Sequence, residues 1–576
     1  MSLLDKASLV QIPSGYKEDK LYSVVPDSGA GDFTFARSST GTRVNSDGYI
    51  EEVPWNKSTY SEDFTNSSYV KNNCTVTADQ ADSPIGTTTA DQIDFGSGSG
   101  YFYNTSTLIT EPSTYSIYVK YIDFQFLQLI SSGDGNHYAN FDIQNGVLGD
   151  TGSQSTSSIE DIGNGWYRCM IYYNEGTFAG TTRLYKIPSL NVGYASGGGN
   201  NGSFYFWGNQ LNKGTSVKPY VKTTDRLDIP RLDYSGGTCP SLLLEPQRTN
   251  LNILSNSNFI ANQGTISYNN TTSPEGITNA YRATATGTSS SFVRSLNIAF
   301  TDPSAFSVFL KHGNNEWVQI INAGNVNHYV NVNIENGDLG TFGSNTSNLL
   351  VEDYGNGWYR VSGKFSGWSG LSTLRVYMAN SSSSNWASTT TTIGNYYYGY
   401  GFQVEANASF ATSYIPTSGS TTTRTEDVCK NAGTSATFND SEGVLFVEIK
   451  ALSDLVEGRL SINNGSNLQT IQIRQSGTVS NQYNIGFSNG TLNKFIVVDD
   501  ITQYNKIAVS YNSSEAKIYI NGIEVATDNS ITTPIGLDRL SFDRGDNSFF
   551  YYGKVKQLIY FNEALTDEEL AALTTI

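Results

Sequence analysis

Charge is scarce in this sequence. Only 15% of its 576 residues are Asp, Glu, Lys or Arg, well below the usual quarter of a soluble chain. The balance is acidic, with 53 acidic against 35 basic residues and a net charge of -18. No basic cluster is available to neutralise phosphates, which argues against a nucleic-acid binder. An acidic surface instead keeps a large β protein soluble. Histidine occurs only three times, as His137, His312 and His328, which leaves little room for a histidine metal centre. The four cysteines, Cys74, Cys169, Cys239 and Cys429, have no paired spacing. They suit neither a disulfide framework nor a zinc site. Long apolar runs are missing too. No segment is long enough to span a membrane, and the first residues, Met1-Ser-Leu-Leu-Asp-Lys-Ala-Ser-Leu-Val10, lack the apolar core of a signal peptide. Neither membrane insertion nor standard export is expected. The Asn-x-Ser/Thr triplets, such as Asn104-Thr-Ser, are what so Asn/Ser/Thr-rich a chain produces by chance.

Aromatics are abundant, at 12% with 37 Tyr, and there are 55 Gly. That is the profile of many short strands joined by tight turns, and it is too apolar for disorder. A chain of this length is expected to form three to four domains. The organising feature is a repeat. Glu160-Asp-Ile-Gly-Asn-Gly-Trp-Tyr-Arg168 returns as Glu352-Asp-Tyr-Gly-Asn-Gly-Trp-Tyr-Arg360. Tyr115-Ser-Ile-Tyr-Val-Lys120 matches Phe306-Ser-Val-Phe-Leu-Lys311, and His137-Tyr-Ala-Asn-Phe-Asp-Ile143 matches His328-Tyr-Val-Asn-Val-Asn-Ile334. The copies lie roughly 190 residues apart, the scale of a domain and not of a solenoid repeat.

Inside each copy the alternation has period two. Tyr115, Ile117 and Val119 face one way, and Ser116, Tyr118 and Lys120 the other. Ala139, Phe141 and Ile143 read as inward, with Tyr138, Asn140 and Asp142 outward; Val330, Val332 and Ile334 are inward, with Tyr329, Asn331 and Asn333 outward. Asn145-Gly146 reads as a hairpin turn. The fold class is all-β: tandem antiparallel β-sandwich (jelly-roll) modules, with a short C-terminal helix capped by Thr566 and Glu569. The expected organisation is an N-terminal anchoring arm (1–57), a first module (58–224), a connector (225–250), a second module (251–424) and a last sandwich (435–576). The arm holds short apolar pieces between close turn signals, too little for its own core, and is expected to order by packing on a partner or on the following module.

Sugars are held by aromatic faces together with amide and carboxylate hydrogen bonds. Tyr138, Asn140 and Asp142, with Tyr329, Asn331 and Asn333, are therefore glycan-binding candidates. The alternative is a solvated strand or an intersubunit contact. Trp166 and Trp358 could stack on sugar or plug the end of the sandwich, and Arg168 and Arg360 could stack on them. Asp538, Asp543 and Asp546 share a Gly-containing loop and are calcium candidates, or simply solvated; no other cofactor is expected. Residues 435–576 hold no paired-carboxylate stretch of the kind glycoside hydrolysis needs. No enzymatic activity is expected.

Lys506-Ile-Ala-Val-Ser-Tyr511, Lys517-Ile-Tyr-Ile-Asn-Gly-Ile-Glu-Val525 and residues 553–573 make the last domain resemble concanavalin-A-like lectin and laminin-G-like sandwiches. Leu9-Val-Gln-Ile-Pro-Ser-Gly-Tyr16, Cys239-Pro-Ser-Leu-Leu-Leu-Glu-Pro-Gln-Arg-Thr-Asn250, the two Gly-Asn-Gly-Trp-Tyr-Arg turns and Ser413-Tyr-Ile-Pro-Thr417 make the rest similar to structural proteins of tailed bacteriophages, of the head-fibre, tail-fibre and appendage kind. The resemblance implies a virion protein made in the host cytoplasm and displayed on the particle exterior. It implies attachment to other virion proteins through residues 1–57, self-association as a homotrimer, and contact with bacterial surface glycans. The alternatives are a glycan depolymerase with binding modules, and a capsid or tail decoration protein without a ligand.

Overall fold

A computed structural model describes residues 3–109, 112–174, 180–199 and 201–576. The described chain is built of antiparallel sheets and one short α-helix, Asp567–Thr574. It divides into two compact units, Val53–Arg226 and Met1–Glu52 with Leu227–Ile576.

The first unit is one sandwich. Its first sheet runs, in spatial order, Ser155–Gly163, Trp166–Tyr173, Ser113–Tyr121, Gly202–Lys213, Ala90–Phe95, Cys74–Ala81. Its second runs Val147–Thr151, Tyr138–Asp142, Phe126–Ser131, Gly180–Lys186, Tyr101–Asn104, Tyr69–Asn72, with Leu108–Ile109 also on Gly180–Lys186. Ile117, Val119, Ile171 and Phe206 meet Phe102, Leu127, Phe141 and Leu184 in the core between them. In central strands such as Ser113–Tyr121 every second residue from Tyr115 on is apolar, so the strand can bury one face and still close its ladder.

The second module, inside the other unit, has the same strand order. Thr346–Asp353, Trp358–Phe365, Ser304–His312, Tyr396–Ala406, Thr278–Ala285 and Gly264–Thr272 form one sheet; Leu339–Phe342, Tyr329–Asn333, Trp317–Asn322, Leu374–Ala379, Phe292–Arg294 and Ile260–Asn262 form the other. Even the irregularities recur. The central pairing slips between Ser116 and Tyr118, and again between Ser307 and Phe309. Each slip faces a glycine at positive φ, Gly208 (64°) and Gly401 (67°). A Cβ there would lie 2.8 Å from the ring of Tyr118 or Phe309, so only glycine supplies this bulge.

The last sandwich recruits distant chain. Its larger sheet runs Leu232–Asp233, Ser241–Leu244, Gly553–Phe561, Gly443–Ala451, Asn505–Tyr511, Ala516–Ile520, Ile523–Asp528, and Ala7–Gln11 also pairs with Gly553–Phe561. Facing it are Asn493–Val497, Gln482–Phe487, Thr470–Gln475, Gly458–Asn463 and Arg539–Ser541. Two stretches of the 225–250 connector, Leu232–Asp233 and Ser241–Leu244, are thus strands of the larger sheet. The N-terminal segment is not an extended arm awaiting a partner. Leu9, Leu21, Phe33 and Phe35 are buried in the core of the last sandwich beside Leu242, Leu244, Val447 and Ile462. Burying each such side chain contributes about 1.5–3 kcal/mol, which explains why a segment with no core of its own is ordered here.

Five charged residues close this assembly. Arg37 Nη1 donates to Asp427 Oδ1 at 2.9 Å, and Arg231 also donates to Asp427. Arg231 Nη1 and Arg424 Nη1 both reach Glu245 Oε2 at 2.6 Å. All five side chains are buried. Burial works against the Glu245 carboxylate, but Arg424 and Arg231, with bonds from Ser413, hold it well below the ordinary carboxylate range. Burial lowers the Arg37 guanidinium to about 10 despite Asp427. The five come from the N-terminal segment, the 225–250 segment and the chain leaving the second module. The network therefore locks three stretches of backbone together.

Candidate functional site

The sandwich modules present their second sheet outward on one side, and the structure corrects what that side offers. Tyr138, Asn140 and Asp142 do lie opposite the core face, but Asn140 and Asp142 are buried. A later segment folds over them. Asn140 Nδ2 donates to Leu190 O and Val192 O, both at 2.8 Å, and Gln128 Nε2 donates to Asn140 Oδ1 and Gly193 O. Asp142 caps a turn, accepting from the backbone N–H of Gln144 and Asn145 at 3.0 Å, so residues 143–146 make a four-residue loop between the paired ends Asp142 and Val147. Tyr138 is half-buried, edge-on to Tyr194 at 6.5 Å. The second module repeats this. Asn331 is buried and donates to Ser384 O, Gln319 Nε2 donates to Asn331 Oδ1, Asn333 accepts from the N–H of Glu335, and Tyr329 is half-buried.

Trp166 and Trp358 are buried, each donating its indole N–H to a backbone carbonyl: Asp82 O at 3.1 Å and Thr272 O at 3.0 Å. Neither stands at the end of the core: Trp166 packs with Tyr118 and Trp207, and Trp358 with Phe309 and Tyr400, on the side of the first sheet away from the facing sheet. The arginines stack elsewhere than expected: Arg168 lies over Tyr118 at 5.0 Å and Arg360 over Phe309 at 5.5 Å. His137 is buried with Asp134 3.7 Å away. His328 Nε2 bonds Ser366 O, its ring stacks on Phe365, and burial keeps it below its ordinary pKa. In the last sandwich Asp538 pairs with Arg539, Asp546 with Arg544, and Asp543 accepts from Gly545 N–H. Among the described residues no group of three or more His, Cys, Asp or Glu is placed to hold a metal ion.

What the sheets do offer lies beside the covering segment. In the first module Tyr101 and Tyr185 are cross-strand partners with rings 5.1 Å apart, and Arg183 lies over Tyr103 at 4.6 Å and Tyr101 at 5.5 Å. All four are half-buried. In the second module Phe292 and Tyr377 are cross-strand partners 4.5 Å apart, and Arg375 lies over Phe292 at 4.8 Å; Phe292 and Arg375 are half-buried and Tyr377 is buried. Phe102 and Leu184, and Val293 and Val376, point into the cores between them, so alternation alone sends these aromatic and arginine side chains outward.

The buried amide pair sets up a further aromatic in each module. Gln128 Oε1 accepts from Ala195 N–H, and Gln319 Oε1 from Ala387 N–H, both at 2.8 Å. Ala195 and Ala387 have left-handed φ, 49° and 54°, a strained conformation for a residue with a Cβ. The residue before each is aromatic, Tyr194 or Trp386, and half-buried. Tyr194 donates to Ser131 O at 2.8 Å. The sequence carries a signal for this face. Arg183-Leu-Tyr185 and Arg375-Val-Tyr377 stand at the same interval as Trp166 and Trp358, as do Tyr194 and Trp386. A row of rings with guanidinium and hydroxyl groups suits a ligand with apolar C–H faces and many oxygens.

No family model and no curated protein matches the sequence. Among solved structures, the chain is similar to the CBM40 of the Ruminococcus gnavus IT-sialidase bound to α2,3-sialyllactose, at 17% identity over 26% of this chain and 94% of that one, TM-score 0.22. It is similar to domains LG4-5 of the mouse laminin α1 chain, at 10% identity over 47% and 88%, TM-score 0.18. It is also similar to the CBM22 tandem of Paenibacillus barcinonensis Xyn10C, at 11% identity over 61% and 97%, TM-score 0.17.

Proposed function

We propose that this chain is a non-enzymatic bacteriophage virion subunit, a head or tail fibre or appendage, whose two sandwich modules contact bacterial surface glycans. The observation that carries the glycan reading is the duplicated outer face, with Tyr101, Arg183 and Tyr185 in one module and Phe292 and Arg375, backed by the buried Tyr377, in the other. Two copies on one chain would add avidity to shallow, weak contacts. The virion reading is supported by the stretches that resemble phage structural proteins. Leu9, Leu21, Phe33 and Phe35 are built into the last sandwich and Ile50 packs on the second module, so attachment to other virion proteins would use the surface of these domains. Homotrimeric self-association belongs to the same reading.

Mass spectrometry of purified particles should find the chain, and its absence overturns the virion reading. A glycan array probed with the full chain should give binding that falls in a Tyr185→Ala, Phe292→Ala double variant. An array without signal leaves a purely structural protein.

A further inference from the structure

The two outer faces are not equivalent in charge, and the difference names a ligand class; this step rests on the glycan reading above. In the second module Arg294 and Arg375 are cross-strand partners on the outer face. Like charges placed directly opposite on neighbouring strands destabilise a sheet. Their contacts are all to neutral groups. Arg294 Nη1 donates to Ser295 O at 3.4 Å, Arg375 Nε to Thr373 Oγ1 at 2.9 Å, and Arg375 Nη1 to the Tyr377 hydroxyl at 3.2 Å. Among the described residues neither guanidinium forms an ion pair. That is unexpected in a chain with 53 acidic and 35 basic residues. On the segment covering the same sheet, the Trp386 indole N–H is buried with no hydrogen-bond partner among the described residues. Two unneutralised cations and an unsatisfied donor on one sheet side call for an acceptor-rich anion.

We propose that the second module takes an anionic saccharide, its carboxylate or sulfate held between Arg294 and Arg375 and its ring against Phe292. The first module has no such pair. Tyr103 lies under Arg183, whose charge rests on the Tyr101 and Tyr103 rings. That face takes neutral saccharide.

The test is isothermal titration of the full chain with three probes, at low and high salt: hexagalacturonate (carboxylated), a heparin hexasaccharide (sulfated) and maltohexaose (neutral). At least one anionic probe should bind, and salt should weaken that binding. Arg294→Gln and Arg375→Gln should each weaken it about tenfold or more, the scale of one lost charge-assisted bond, with no fall in melting temperature, since each removes a like-charge contact. Which anionic probe wins separates carboxylate from sulfate. Tyr103→Arg should confer anionic binding on the first module in an Arg375→Gln background. If Arg294→Gln does not fold, Arg294→Tyr replaces it. Anionic and neutral probes binding alike, or anionic binding that survives both glutamine substitutions, overturns the proposal. Binding of the neutral probe alone overturns it and leaves the glycan reading standing. No binding by any probe, together with a blank array, removes both.

Discussion

The two modules share strand order, bulge, buried tryptophan and covering segment, yet they hold different company. The first is a compact unit by itself, Val53–Arg226; the second belongs to a unit with the N-terminal segment and the last sandwich. The difference lies outside the repeated strands, in flanking chain that supplies Arg37, Arg231, Glu245, Arg424 and Asp427 to one neighbourhood. A duplicated fold therefore does not carry duplicated stability. Its cooperativity depends on what its connecting segments bury.

That contrast can be broken hardest at Glu245. Glu245→Ala leaves Arg231 and Arg424 buried beside one carboxylate fewer, and stranding buried charge costs about 3–5 kcal/mol. Calorimetry should show the transition of the larger unit falling while that of residues 53–226 holds. Acid should separate the units in the same direction. The Glu245 carboxyl is held below its ordinary 4.5, so its contribution is complete above that pH and is lost as pH falls through the folded value. Asp91, in the first module, is pushed by burial from 3.8 to about 6. Its ionised form is penalised above pH 6, and the penalty is relieved as pH falls from 6 towards 3.8. Chemical melts at pH 7 and pH 4 should show the unit of the second module weakening relative to the first.

Smaller substitutions sharpen the likeness instead. Trp166→Phe and Trp358→Phe each remove one part-buried indole bond to a backbone carbonyl and should cost about 0.5–1.5 kcal/mol apiece, each seen only in its own unit's melt. Ala195→Gly and Ala387→Gly relieve left-handed backbone at matching places. Each should raise stability by up to about 1 kcal/mol, with ligand affinity falling as the neighbouring Tyr194 or Trp386 loosens.

The sheets were legible because alternation is a local property: Ile117 and Val119, or Phe141 and Ile143, declare an inward face within a few residues. Alternation also gave Asn140 the correct side of its strand. It could not show that residues 187–199 return to cover it, because that contact joins Asn140 to Leu190 across another sheet strand. The same limit hid Tyr101 beside Tyr185, which meet only through pairing of strands far apart in sequence. Strand Leu232–Asp233 has two residues, too few for any periodicity, so its place in the sheet had no local signature. Between copies of a repeat, equal spacing is the longer-range signal, and Arg-x-Tyr at matching intervals was available in the sequence.

Strand Ala7–Gln11 runs along Gly553–Phe561, and Lys6 reaches Glu569 on the closing helix at 2.7 Å. A strand made early therefore finds its partner in residues 553–561, far later in the sequence. Residues 53–226 can fold during synthesis, but the sheet that receives Leu9 cannot close until residues 553–561 have been made. Until then Leu9, Leu21, Phe33 and Phe35 must wait uncovered. A nascent chain stalled before residue 553 would present that apolar face to chaperones, which makes the closing strand the checkpoint of this protein's biogenesis.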